Sequence, residues 1–141
     1  MTDVVPQFRK ATESADIDAL METLAPDAEL ASPISGRLVF RGQDDLRILL
    51  TAVYRGISAM QWTDQIGDGA HRVLLGEASI GPFRMTEAMV IELDKDGRIR
   101  KLNPHIRPWL ALTFLAVRLG PRLIRHPGVM RRAAGARPHT P

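Results

Sequence analysis

Apolar positions recur at helical spacing in the first third of this chain and at strand spacing in its middle. Val4, Val5, Phe8, Thr12 and Ala15 mark one face of a helix over about residues 4–14. Asp16 then caps a second helix, with Ile17, Leu20, Met21 and Leu24 as its stripe and Pro26 as its end, since proline denies the next backbone donor. Residues 28–33 and 38–41 read as two short extended pieces around a Ser35-Gly36 turn. Leu46, Leu49, Leu50, Val53 and Tyr54 define a third helix near 43–56, between Gly42 and Gly56, with Asp44 and Asp45 favouring its N-terminus. Alternation takes over at Met60, Trp62, Asp64 and Ile66, which predicts a strand with Asp64 on its apolar face.

Residues 73–108 read as three strands joined by two hairpins, at Gly81-Pro82-Phe83 and at Asp94-Lys95-Asp96-Gly97. Pairing Ile80 with Arg84 sets Val73 against Ile91, Leu75 against Met89, Arg72 against Glu92 and Glu77 against Glu87, matching apolar with apolar and opposite charges. In the second hairpin, Gly97 in the left-handed conformation pairs Asp94 with Arg98 and brings His105 opposite Glu87. The inner face then carries Val73, Leu75, Met85, Met89 and Ile91 with Glu77, Glu87, Asn103, His105 and Arg107, while Leu74, Val90 and Leu102 lie outside. A slip of one residue in the last strand reverses it, bringing Leu102, Pro104 and Ile106 inside and turning His105 out. Trp109 to about Leu119 predicts a last helix that Gly120-Pro121 stops or kinks. Its expected buried stripe is Trp109, Leu112 and Leu115 or Ala116. Residues 126–141, rich in proline, glycine and arginine, predict disorder.

Composition adds limits. A chain of 141 residues suits one domain, here 1–125 with the final helix included, and needs no metal or disulfide to hold its core. With no cysteine there is no thiolate nucleophile and no cysteine zinc site; the histidines show no metal-ligand spacing, and no cofactor motif is present. Net charge is +3, but all 16 acidic residues precede residue 109, and the last 33 residues hold six arginines and no acid. The body is thus acidic and the high pI belongs to the tail, which argues against specific nucleic-acid binding and for weak contact of the tail with an anionic membrane. The N-terminal residues lack the basic start and apolar core of an export signal, so the expected location is cytoplasmic.

The order of three helices, a small hairpin and a long antiparallel sheet resembles the nuclear transport factor 2-like superfamily, which includes ketosteroid isomerases and SnoaL-like polyketide cyclases. The resemblance rests on Ala15-Asp16-Ile17-Asp18, on Leu24-Ala25-Pro26-Asp27-Ala28-Glu29-Leu30 leading into Ala31-Ser32-Pro33, on Phe40-Arg41-Gly42, and on Leu93-Asp94-Lys95-Asp96-Gly97-Arg98-Ile99. It spans roughly residues 4–107. It implies a cone-shaped α+β fold, with N-terminal helices on a strongly bent antiparallel sheet; the apolar outer face with Leu74, Val90 and Leu102, which no further segment is left to cover, predicts a homodimer through that face. The tyrosine, aspartate base and protonated aspartate of ketosteroid isomerases fall here at Phe8, Ser32 and Met89. Phe8 and Met89 cannot donate to an oxyanion and Ser32 is too weak a base, which counts against steroid isomerisation by that triad.

Glu87, between Met85 and Met89, is the candidate acid/base, with His105 as its partner, since burial beside Glu77 raises a carboxyl pKa. Trp62 and Asp64 are expected to line the same cavity. Asn103 and Arg107 are the candidate oxyanion donors, and Glu77, Met85 and Met89 complete the expected ligand contacts. The structural alternative is that one of the two glutamates, Glu77 or Glu87, forms an ion pair with Arg84 or Arg107. Two functional readings follow: a SnoaL-like pocket protein that binds, and isomerises, cyclises or hydrolyses, a small apolar carbonyl- or hydroxyl-bearing molecule, or a non-catalytic dimeric binding or interaction module.

Overall fold

The computed structural model describes residues 3–35 and 37–135, so Gly36 of the first turn and the tail residues 136–141, Arg137 among them, lie outside the described residues. Two short helices, α1 (Val5–Ser14) and α2 (Ile17–Glu22), open the chain. The Asp16 carboxylate accepts from the Ala19 amide at 3.1 Å, as an N-cap should. α2 ends sooner than Pro26, because β1 (Leu24–Ala31) captures that stretch: the Ile99 amide donates to the Thr23 carbonyl at 2.9 Å and Leu24 pairs with Ile99. Pro26 sits in β1 where the ladder to the sixth strand is interrupted, between Leu24 and Glu29, so its missing donor costs nothing. β2 (Val39–Arg41) returns beside β1, and α3 (Gln43–Gly56) follows Gly42, which takes φ +85°.

The remaining strands are β3 (Ser58–Ile66), β4 (His71–Ile80), β5 (Phe83–Leu93) and β6 (Ile99–Arg107). The six-stranded sheet has the order β2-β1-β6-β5-β4-β3. It is mixed rather than purely antiparallel, because β1 runs parallel to β6. The helices pack on one face only, which makes the fold α+β, and the inner face of the sheet supplies Leu74, Ile80, Met85, Met89, Ile91 and Leu102 to the core.

Both long hairpins differ from expectation by one residue. The β4–β5 turn is a two-residue loop that pairs Ile80 with Phe83. Gly81 at φ +56° followed by proline is the backbone that such a loop favours. Glu77 therefore faces Thr86 and Glu87 faces Gly76, not each other. Arg72 moves inside, where it is buried and bonds the Asp3 carboxylate at 2.7 Å. The β5–β6 turn forms as expected, with the Asp94 amide donating to the Arg98 carbonyl at 2.8 Å and Gly97 at φ +82°. A bulge then inserts Arg100 between the Leu93–Ile99 and Glu92–Lys101 pairs, so beyond it the strand takes the slipped register. Leu102 and Pro104 are buried and Ile106 is half-buried, while Lys101, Asn103, His105 and Arg107 are exposed.

α4 (Trp109–Ile124) runs past Gly120-Pro121. Val117 and Pro121 lie on its exposed side, so water can reach the Val117 carbonyl that proline leaves without a donor. α5 (Pro127–Gly135) forms where composition predicts disorder, and Pro127 here starts a helix rather than breaking one. Val129 and Ala133 bury against the core, and Arg132 makes two bonds to the buried Asp45 carboxylate, at 2.7 and 2.8 Å.

Candidate functional site

A cavity of about 260 Å³ lies under α4, between α3, the β1–β2 hairpin and the inner faces of β5 and β6. Its wall is almost wholly apolar, from Leu50, Phe40, Met89, Ile106, Leu115 and Leu119. Three side chains bring polar atoms to it: Ser32, Tyr54 and Glu87.

Glu87 reaches this wall because it alternates with Met85 and Met89 on the inner face of β5. Only 7 % of it is exposed. Burial pushes its carboxyl up to about 7, and among the described residues no charge or hydrogen bond offsets that burial. Tyr54 comes from the last turn of α3, on the stripe of Leu46, Leu50 and Val53. Burial first, and then the nearby charge of Glu87, push its phenol well above the usual value. Near neutral pH the pair is thus a carboxyl that gains and loses its proton readily and a phenol that keeps its own. A buried carboxyl is ordinarily paired, so one left facing a cavity marks a position where chemistry or a ligand is expected.

The space opposite Glu87 depends on Gly76. A Cβ there would come within 2.6 Å of Trp62 Cε3 and 2.8 Å of the Gln61 carbonyl oxygen. Trp62 fills that place as core: its indole N–H donates to the Thr12 hydroxyl at 2.8 Å, and its ring lies 6.3 Å from that of Phe8.

Of the residues singled out in the sequence, Glu87 and Met89 line the cavity, as does Ser32. Met85 and Trp62 are buried in the core beside it. His105, Asn103 and Arg107 are turned outward by the bulge at Arg100, so His105 does not meet Glu87 and neither Asn103 nor Arg107 faces the cavity. Glu77 is outside as well, 3.3 Å from Arg84. Asp64 is exposed because a register shift between Trp62 and Asp64 rotates the end of β3, and its carboxylate accepts from the Gln65 amide. Glu77, His105 and Arg107 do share a depression, but it is a shallow one on the outer face of the sheet. Tyr54 was missed as a site residue. The signal was the chain's one tyrosine on a core stripe, where a phenol needs a partner. Among the described residues no group of His, Asp and Glu side chains could hold a metal ion.

Among curated proteins, none matches this chain. Among solved structures, an uncharacterised protein with a cystatin-like fold from Silicibacter pomeroyi is 18 % identical, with TM-score 0.86 over 94 % of this chain and 95 % of its own. A steroid delta-isomerase from Pseudomonas aeruginosa is 24 % identical, with TM-score 0.79 over 89 % of this chain and 92 % of its own. A putative polyketide cyclase from Sinorhizobium meliloti is also 24 % identical, with TM-score 0.63 over 74 % of this chain and 95 % of its own. These likenesses establish the fold. The SnoaL-like domain matches residues 5–102, from the start of α1 into β6, and the chain therefore belongs to the SnoaL-like family.

Proposed function

We propose that this protein binds a small, largely apolar molecule bearing a carbonyl group and moves a proton on it, with Glu87 as the acid/base and Tyr54 as the hydrogen-bond donor to the carbonyl oxygen. The observation that carries this reading is the buried, unpaired Glu87 carboxyl facing an otherwise apolar cavity beside a phenol. In the ionised form the carboxylate takes a proton from the carbon next to the carbonyl. The electron pair of the broken C–H bond moves to the oxygen, and the phenol stabilises the charge that develops there. Delivering that proton from Glu87 to a conjugated carbon completes isomerisation, and delivery back to the first carbon completes exchange once the carboxyl has traded its proton with solvent. A carboxyl held at about 7 suits both steps at neutral pH, since a base and its conjugate acid are then both present. The names of two similar structures, steroid delta-isomerase and putative polyketide cyclase, support chemistry of this class.

The test is proton exchange in heavy water. Small cyclic ketones and enones are screened by NMR for binding and for deuterium uptake beside the carbonyl. The expected result is uptake faster than in buffer alone, lost in Glu87→Gln and reduced by roughly 100-fold in Tyr54→Phe, the scale of one lost oxyanion donor. Binding that persists with no Glu87-dependent exchange would favour the non-catalytic binding module. That second reading draws on the absence of an isomerase triad at Phe8, Ser32 and Met89.

A further inference from the structure

The helix that roofs the cavity is apolar on both sides. Its inner positions are accounted for: Ala111, Leu115 and Leu123 are buried, and Leu112, Ala116 and Leu119 line the cavity. Its outer face ought to be polar and is not. Trp109 is 70 % exposed, Leu110 49 %, Val117 67 % and Ile124 75 %. At 3.6 residues per turn these four fall on one side of α4, interrupted only by Thr113, Gly120 and Pro121. Ile34, on the β1–β2 connection, is exposed too, and both Ile34 and Ile124 belong to the cavity lining. The exposed apolar face and the cavity mouth are therefore continuous.

Cations flank this face. Arg118 packs over the Phe114 ring and donates to the Gly56 carbonyl. Beside it, a groove between α3 and α4 is lined by Arg47, Arg55, Arg122, Arg125 and His126 with no acidic side chain in its wall. Arg47 alone among these arginines is paired with a carboxylate, that of Asp18, among the described residues. From Trp109 to Gly135 the chain has five arginines and no acid. A tryptophan-bearing apolar stripe with arginines along its flank is the pattern of a helix that lies in a lipid interface. A folded partner would need a groove complementary to a single convex helix and a surface acidic enough for the arginines, whereas lipid conforms to the helix and supplies phosphates.

We propose that α4 lays its outer face on an anionic lipid surface, with Trp109, Leu110, Val117 and Ile124 among the acyl chains and the arginine groove on lipid phosphates. The mouth at Ile34 and Ile124 then opens against the bilayer, and an apolar ligand passes from lipid into the cavity without crossing water. This last step rests on the pocket reading above; the docking itself does not.

The experiment uses the full chain with vesicles of phosphatidylcholine alone and of phosphatidylcholine with phosphatidylserine. Binding is read by cosedimentation and by tryptophan emission. The chain has 2 tryptophans, and Trp62 is buried, so a blue shift on binding reports on Trp109. Binding to the anionic vesicles should weaken as salt rises. Trp109→Ser with Val117→Ser should abolish it, although neither residue lines the cavity. Arg55→Ala with Arg125→Ala should weaken it roughly 30-fold, at about fivefold for each arginine near an anionic surface. In both variants melting temperature and ketone binding without vesicles should match the wild type, so a failure of the pocket reading would be seen separately. No binding to anionic vesicles, equal binding to both compositions, or binding that survives both pairs of substitutions would overturn the proposal. A change of oligomeric state in the Trp109, Val117 variant without vesicle binding in the wild type would do so too, and would assign the face to a second copy of the chain.

Discussion

Replacing Glu87 by glutamine should remove a pH dependence from the folding equilibrium. In the folded chain burial holds this carboxyl at about 7, against 4.5 for the same group in water. The folded state therefore holds the proton more tightly than the unfolded state, and protonation favours folding. That contribution is fully present below about pH 4.5, is lost progressively as pH rises, and is gone above about pH 7. At 1.36 kcal/mol for each pKa unit the interval is worth roughly 3 kcal/mol. For a chain of this length that is on the order of 10 °C in melting temperature. Glutamine keeps the shape and cannot ionise, so the variant should lack this term at every pH. Every other titrating group is shared, and the difference between wild type and variant isolates Glu87. Urea unfolding of both proteins in steps across that range should show the variant gaining on the wild type by roughly 3 kcal/mol, with no further gain above about pH 7. Two curves that stay parallel throughout would refute the reasoning, because a solvated or ion-paired carboxyl gives no such divergence.

Gly76→Val should destabilise by about 1 to 3 kcal/mol in denaturant unfolding, since its Cβ would press on Trp62 and on the Gln61 carbonyl; an unchanged midpoint would mean that β3 can shift away at no cost. Deleting residues 109–141 removes Ala111, Leu115, Leu123, Val129 and Ala133 from the core and should lower the melting temperature or cause aggregation; a truncated chain that melts with the full one would show that α4 and α5 do not hold the body. A homodimer through the outer face of the sheet is expected, because Val73, Leu75, Ala88 and Val90 stand there half-buried with no segment of the described chain over them. Light scattering should then give twice the chain mass, and Val90→Arg should halve it; a wild-type monomer would end that expectation.

Most of the architecture was legible because each element carries its own signal. The stripe of α3, the Asp16 cap, and the Asp94 to Gly97 turn are local, and each stands where its residues put it. The faces of the strands were harder, since parity along a strand accumulates from its turn and one residue reverses it. At the first hairpin the charge and apolar matches favoured pairing Ile80 with Arg84, yet the Gly81-Pro82 backbone closes a tighter loop, and all of β4 changes face. At the second hairpin the turn was right, and the bulge at Arg100 undid the register beyond it. Nothing local in Arg100-Lys101 announces a bulge, and the slipped register leaves Lys101 exposed. Glu87 kept its place through both shifts because its own neighbours, Met85 and Met89, are unambiguous on β5, whereas His105 had only a register to recommend it. The helix α5 was hidden for another reason: Pro127-Gly128 reads as a breaker by composition, and what orders the segment is distant, in the Asp45 carboxylate and the cleft for Val129 and Ala133.

Two features of the molecule run against folding by itself. A carboxyl in an apolar wall costs roughly 3 kcal/mol at neutral pH, and the outer face of α4 leaves four large apolar side chains 49 to 75 % exposed, each forgoing a part of the roughly 1.5 to 3 kcal/mol that full burial would bring. Neither is a by-product of packing. Glu87 could be a methionine like its neighbours, and Val117 and Ile124 could be lysine or glutamate without disturbing Leu115 or Leu123 on the other side of the helix. The two costs also meet at one place, since α4 closes the cavity that Glu87 faces and Ile124 lies in both surfaces. A ligand in the cavity would supply the group that the carboxyl lacks, and a lipid surface would cover the face that water now touches. Under the two proposals each cost is relieved by something other than this chain, and the shared wall of α4 would give an apolar ligand a short path from one environment to the other.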